Sequence, residues 1–208
     1  MRLMKMFGLA VLAAVAAMAF VGASSASANQ STTLCKINQL PCASTNQWPT
    51  GTGLVGTSVG TALLLSDIVT VHCNSTASGK ITSAALAKPL VGTLVPSFTG
   101  CKTGSGTNCT VTTSSGTMLL LKTGPGVGTA TVHNVLARVQ CGFFIDCSYV
   151  SDGVELEALS LSGAHPALLH ANGVELQNEG GFLCPDESFW DALYTVKTST
   201  GGGIHISS

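Results

Sequence analysis

The stretch Gly128–Val150, GTATVHNVLARVQCGFFIDCSYV, decides the fold class of this chain. In its first half, small or apolar side chains alternate with others, and one face carries Val135, Ala137, Val139 and Cys141. This period of two is typical of a β-strand with one buried face. The Gly-Phe-Phe-Ile-Asp segment between two cysteines then predicts a hairpin turn and a returning strand.

The rest of the chain repeats this pattern, with Gly, Ser, Thr and Asn turns between short alternating runs and almost no helical periodicity. We therefore predict an all-β fold, an antiparallel β-sandwich of immunoglobulin-like or jelly-roll-like type with about ten strands, or a small barrel. The clearest strands are predicted at residues 62–65, 67–73, 108–113, 118–122, 128–141, 153–162, 190–197 and 204–207. A change of phase near Ala158 predicts a bulge in the sixth of these.

The N-terminus has the form of an export signal. A basic start is followed by the apolar run Phe7–Val21, and Ala26-Ser27-Ala28 supplies the small residues of a cleavage site. We predict a signal peptide over residues 1–28, cleaved after Ala28, and a secreted chain. The apolar run is shorter than the roughly 20 residues of a membrane anchor, and we expect no membrane span.

The mature chain divides into two regions by composition. Residues 29–60 are rich in Thr, Gly and Ser, and we predict an N-terminal extension that holds a first edge strand. Residues 61–208 are predicted to form the β-sandwich domain.

Charge limits the choice of partner. Cleavage removes two of the 9 basic residues and none of the 10 acidic ones, which leaves 7 against 10 and a net charge of −3. That balance argues against a nucleic-acid partner, which needs clustered Lys and Arg. Nine of the acids lie in residues 146–208. Carboxylate oxygens suit calcium, but their spacing matches no calcium loop, so we expect no metal and no cofactor.

All eight cysteines belong to the mature chain, and an even number in an exported protein predicts a disulfide framework. Their short gaps favour local pairing, Cys35–Cys42, Cys101–Cys109 and Cys141–Cys147, which leaves Cys73–Cys184. The main alternative joins Cys73 to Cys101 and Cys109 to Cys184. Five residues separate Cys141 from Cys147, which fits neither a zinc site nor a C-x-x-C redox pair, so we interpret both as structural.

Two glycine motifs resemble catalytic ones. Gly56–Gly60 spells G-x-S-x-G around Ser58, but no strand precedes it and no helix follows, so we expect no nucleophile there. The G-x-G-x-x-G at 51–56 lacks the flanks of a dinucleotide site. Glu155 and Glu157 share a strand face and raise the alternative of an extracellular, glycosidase-like hydrolase, although exposed strand faces are usually charged.

Five segments carry a resemblance in this order: VTVHC, FTGC, NCTVTT, CGFFIDCSYV and GGFLCPDESFWDALYTV. Over residues 62–198 the chain resembles the small secreted, cysteine-stapled β-rich proteins that recur in many copies in soil actinobacteria. Leu119–Leu121 departs from the Leu-Pro-Trp that many of them carry. The resemblance implies a secreted location and a sandwich-like fold, and it implies no particular activity.

The sequence favours a non-catalytic extracellular or cell-surface module, structural or binding, whose partner is a cell-surface polymer or a protein. Phe143, Phe144 and Ile145 are the candidate contact residues, because aromatic side chains on a short disulfide-bonded hairpin are already ordered for contact. The other interpretation folds both phenylalanines inward as part of the core.

Overall fold

Within the residues that it describes, this computed structural model contains twelve strands and one 3₁₀ turn at Ser44–Asn46. The structure describes residues 31–156, 167–181 and 184–207, and over 152–156 it describes the backbone alone. The strands are β1 Thr33–Cys35, β2 Gly53–Ser58, β3 Ala62–Leu65, β4 Thr70–Ile81, β5 Leu90–Thr103, β6 Cys109–Thr113, β7 Gly116–Gly124, β8 Val127–Cys141, β9 Ile145–Leu156, β10 Ala167–Gly180, β11 Glu187–Thr198 and β12 His205–Ser207.

Ten of these strands form one antiparallel sheet in the order β10–β9–β8–β7–β5–β4–β2–β11–β3, with β6 beside β8. The predicted all-β antiparallel sandwich is thereby confirmed. β10 also pairs with β11, so the hydrogen-bonded path returns to its first strand. That closure protects the backbone groups that an edge strand would leave open to association.

Two positions in the sheet are each filled by two consecutive strands. Both β2 and β3 pair with β4 and with β11. The short segment between the two strands interrupts the ladder and contains Gly60, whose φ is 80°. β6 and β7 share a position beside β8 in the same way. The boundary predicted at residue 60 therefore falls inside one sheet position. The described residues from Ser31 onward belong to a single compact unit, and β2 is a strand of the main sheet rather than an edge strand of an extension.

The inward side chains of these strands form one hydrophobic core. Its aromatic centre is Trp190, which meets Phe98 and Tyr194 edge to face with centroid distances of 6.0 Å in both cases. The hydroxyl groups of Tyr194 and Ser75 share a buried hydrogen bond of 2.7 Å. Burial raises the pKa of Tyr194 to about 12, because a low-dielectric interior disfavours the phenolate.

The two ends of the sandwich differ. At the basal end, β1 pairs with β12, and their side chains Leu34 and Ile206 are buried under the sheet together with Ile204. The indole of Trp48 donates a hydrogen bond of 3.0 Å to the carbonyl of Gly203. The other end, called apical below, consists of loops 66–69, 104–108, 142–144 and 184–186.

Four disulfides are present, and their connectivity corrects most of the predicted pairs. They are Cys35–Cys42, Cys73–Cys101, Cys109–Cys141 and Cys147–Cys184. The predicted pairs 101–109, 141–147 and 73–184 are wrong, as is 109–184 from the alternative, whereas 35–42 and the alternative's 73–101 are confirmed.

Strand register explains the error at the hairpin. Cys141 lies opposite Ile145, and Cys147 lies opposite Val139, so the two cysteines are diagonal neighbours on the ladder. Diagonal positions are farther apart than the Cα spacing that a disulfide spans. Cys141 lies directly opposite Cys109 instead, at a Cα distance of 4.2 Å.

Candidate binding site at the apical end

The β8–β9 hairpin ends in a short loop that carries two exposed aromatic side chains. Cys141 and Ile145 form its last cross-strand pair, and Gly142 adopts a positive φ of 58° that turns the chain. Phe143 and Phe144 occupy the tip with 101% and 91% of their surface exposed. The interpretation that both rings fold into the core is therefore wrong.

Ile145 has a different place from the two phenylalanines. It is half-buried and lines, with Ile68, Val139 and Tyr149 among others, a cavity of about 10 Å³ beneath the tip. A space of that size holds about one water molecule and no ligand. Of the three predicted contact residues, Phe143 and Phe144 thus lie at the surface, whereas Ile145 packs beneath the loop.

Two disulfides and an ion pair hold this hairpin. The Cys109–Cys141 bridge ties one strand to β6, and the Cys147–Cys184 bridge ties the other to the loop before β11. Across the hairpin, Arg138 donates hydrogen bonds of 2.7 and 2.6 Å to the two carboxylate oxygens of Asp146.

Gln140 completes the same polar contact on the outer face of the hairpin. Its amide nitrogen donates a bond of 3.1 Å to Asp146. These hydrogen bonds lower the pKa of Asp146 to about 2, because they stabilise the carboxylate over the acid form. The bonds from Arg138 are the largest cause of this shift, and the bond from Gln140 is the second.

An open acidic groove lies beside the tip. Its volume is about 450 Å³, and its lining consists of Asp67, Cys184, Pro185, Asp186, Glu187 and Phe189. The Cys147–Cys184 disulfide joins the groove wall to the hairpin, and the Cys184 sulfur lies 3.5 Å from the carbonyl oxygen of Asp146. Loop 66–69 borders both features, since Asp67 lines the groove and its half-exposed neighbour Ile68 lines the cavity under the tip.

The other predicted candidates lie elsewhere. Ser58 ends β2, so a strand does precede it, contrary to the expectation from the sequence. Its hydroxyl oxygen accepts a hydrogen bond of 3.1 Å from the backbone N–H of Ser75, so a structural contact occupies it. The side chain of Glu155 and the whole of Glu157 lie outside what the structure describes. Within the described residues, no cluster of three or more His, Cys, Asp or Glu side chains is arranged to hold a metal ion.

Sequence reasoning located the tip and missed the groove. Asp186 and Glu187 are adjacent in sequence, but Asp67 lies about 120 residues earlier, and only the closure of the sheet through β3 and β11 brings it near them. The sequence does show that nine of the ten acidic residues lie in residues 146–208. That pattern indicates an acidic region but does not show where it lies in the fold.

No family model, curated protein or solved structure matches this chain. The resemblance to secreted actinobacterial proteins therefore stays a prediction. In the described part of the chain, no helix has the length and apolar character needed to cross a membrane. Four disulfides are consistent with an extracellular location, because oxidising compartments preserve them.

Proposed function

We propose that this protein is a secreted, non-catalytic binding module that contacts its partner through Phe143 and Phe144. The observation that carries the proposal is the nearly complete exposure of two adjacent phenylalanine rings on a hairpin held by two disulfides. Exposed aromatic residues on a rigid loop are favourable contact groups, because little conformational entropy is lost when they bind. Export through the signal peptide 1–28 fits a partner at a cell surface, either a polymer or a protein.

The free energy of burying the two rings indicates how much the tip contributes to binding. Full burial of one phenylalanine side chain yields about 1.5–3 kcal/mol, so the pair yields roughly 3–6 kcal/mol before the entropic cost of association. Micromolar binding requires about 8 kcal/mol net. The tip is therefore an anchor within a larger contact area.

The first prediction tests the tip directly. Replacing both rings, Phe143→Ser with Phe144→Ser, should lower binding of the labelled secreted chain to intact cells or cell-envelope material of its source by about tenfold or more. Thermal unfolding should change little, because neither ring packs in the core.

The matched control is Leu121→Ser, which removes an exposed apolar side chain from the outer face of β7 and should leave binding unchanged. The proposal fails if the double variant binds as well as the parent chain. It also fails if the double variant loses stability in proportion to binding, since the rings would then serve the fold.

A further inference from the structure

We infer that the partner of the apical end is a basic protein segment that places Lys or Arg side chains in the acidic groove and apolar side chains on the two phenyl rings. This inference rests on the proposed function and adds the chemistry of the partner to it. It follows from the charge, openness and position of the groove beside the tip.

The carboxylates of the groove carry negative charge that the described part of the chain does not neutralise. Asp67, Asp186 and Glu187 are all exposed, and none of them belongs to an ion pair there. The acid nearest the tip is different, because Arg138 already pairs with Asp146. The three groove acids are thus available to a partner's cations.

The balance of charge at this end is acidic as a whole. Glu179 stands exposed at the end of β10, next to the same loop, and adds a fourth acid. Lys102, exposed near the end of β5, is one cation against these four. A surface of this sign attracts a cationic partner and repels phosphate-rich polymers and anionic lipid.

The position of the groove determines which kind of cationic partner fits. Cys184 in the groove wall is bonded to Cys147 of the hairpin, with 5.6 Å between their Cα atoms, and Cys147 lies three residues after Phe144, so a ligand in the groove lies close to the tip. A peptide segment with basic and apolar side chains a few residues apart reaches both at once. Arginine or lysine can also lie over an exposed phenyl ring, where the ring's quadrupole attracts the cation.

The groove is also suited to flexible charged side chains because it is open. Its acids remain in water, so a lysine or arginine that enters keeps part of its hydration and avoids a large desolvation penalty. Each such pair contributes modestly and is screened by salt, with a Debye length of about 10 Å at 0.1 M. Binding should therefore depend strongly on ionic strength.

The second prediction uses defined probes with the full secreted chain. The probe is an amphipathic peptide of Lys and Leu, compared with a peptide in which Glu replaces every Lys, and binding is measured by fluorescence anisotropy at 50 and 300 mM salt. The Lys peptide should bind at low salt and weaken by about tenfold at high salt, whereas the Glu peptide should bind at least tenfold more weakly.

Two charge variants separate a local effect from the effect of total charge. Asp186→Asn with Glu187→Gln should weaken the Lys peptide by about twofold to fivefold for each carboxylate removed. Adding Lys80→Gln and Lys197→Gln, both exposed and far from the groove on β4 and β11, restores the parent net charge. Under the inference, binding by this fourfold variant stays weak.

The outcomes distinguish this inference from the proposed function. Recovery of binding in the fourfold variant, or equal binding of both peptides, overturns the basic partner. So does binding restricted to zwitterionic phosphatidylcholine vesicles, or to a second copy of the chain seen as concentration-dependent dimerisation. In each of these cases the proposed function still stands if the Phe143→Ser/Phe144→Ser variant loses the interaction, and it falls if that variant keeps it.

Discussion

At the scale of single residues, Asp146 reports whether the hairpin under the tip is formed. Its pKa lies near 2 in the folded chain, below the ordinary value of about 3.9 for an aspartate. Because the folded-state pKa is the lower one, the contacts of Asp146 stabilise the fold fully above about pH 4. This contribution is lost as the pH falls through about 2.

The third prediction follows from that shift. In Arg138→Gln, the pKa of Asp146, measured by NMR titration of its carboxyl carbon, should return most of the way to the ordinary range. The reason is that the guanidinium bonds are the largest cause of the shift. Gln140→Ala should give a smaller increase, since its single bond is the second cause. An unchanged pKa in Arg138→Gln would show that the ion pair does not form in solution.

The same scale explains why alternation alone would place Phe143 in the core. From Val135 onward in β8, and again in β9, the inward positions fall at odd numbers, as Val139, Cys141 and Cys147 show, and continued alternation would place Phe143 inward as well. The turn that begins at Gly142 breaks that phase and directs both rings to solvent. Periodicity predicts faces within a strand and loses its meaning inside a turn.

At the scale of elements, the sequence predicted several of the alternating strands and missed others, among them β5 and β10. β10 was not foreseen, because Asn172-Gly173 after Pro166 has the composition of a turn. In the structure, Gly173 has a φ of 62°, and the register of β10 against β11 shifts between Ala171 and Val174. A β-bulge thus absorbs the turn-like pair within one continuous strand.

The fourth prediction concerns how the terminal strands fit onto the sheet. A Cβ added at Gly128 would lie 2.7 Å from the carbonyl oxygen of Leu121 and would overlap the terminal carbon of Ile206. Gly128→Ala should therefore lower the free energy of unfolding by about 1–3 kcal/mol in urea denaturation, because β12 or β7 must shift.

Gly104→Ala is the matched control, because no atom lies within 4 Å of its added Cβ, and it should change stability by no more than about 0.5 kcal/mol. Equal stability in Gly128→Ala and the parent would contradict close packing of β12 on the sheet.

At the scale of the whole molecule, strand content was predictable and strand partners were not. Alternation is a local property, whereas the pairing of β11 with both β2 and β3 joins segments that lie far apart along the chain, and no local pattern records such a pairing. The cysteines illustrate this limit: spacing along the chain favoured neighbours, and the ladder selected partners 28 to 37 residues apart. The acidic groove could not be predicted from the sequence for the same reason, because its residues come from segments that are distant along the chain.

The fifth prediction ranks the disulfides. Cys147 and Cys184 are 37 residues apart, and in the chain-entropy model their bond stabilises the fold by roughly 4 kcal/mol. Cys35 and Cys42 are 7 apart, which gives roughly 2.5 kcal/mol. The first bond also lies where β9 and β10 make their three cross-strand pairs, from Gln177 to Gly180, so its loss weakens this narrow seam between β9 and β10.

Removing each bond with a double alanine variant should therefore lower the free energy of unfolding more for Cys147/Cys184 than for Cys35/Cys42, by about 1.5 kcal/mol or more in denaturant titrations. Cys147→Ala and Cys184→Ala should be nearly equal to each other, because each breaks the same bond. Peptide mapping without reduction checks the connectivity independently. If the 35–42 variant proves the less stable one while the mapping holds, then closure of the basal end by β1 and β12, and not closure of the seam, limits the stability of the sandwich.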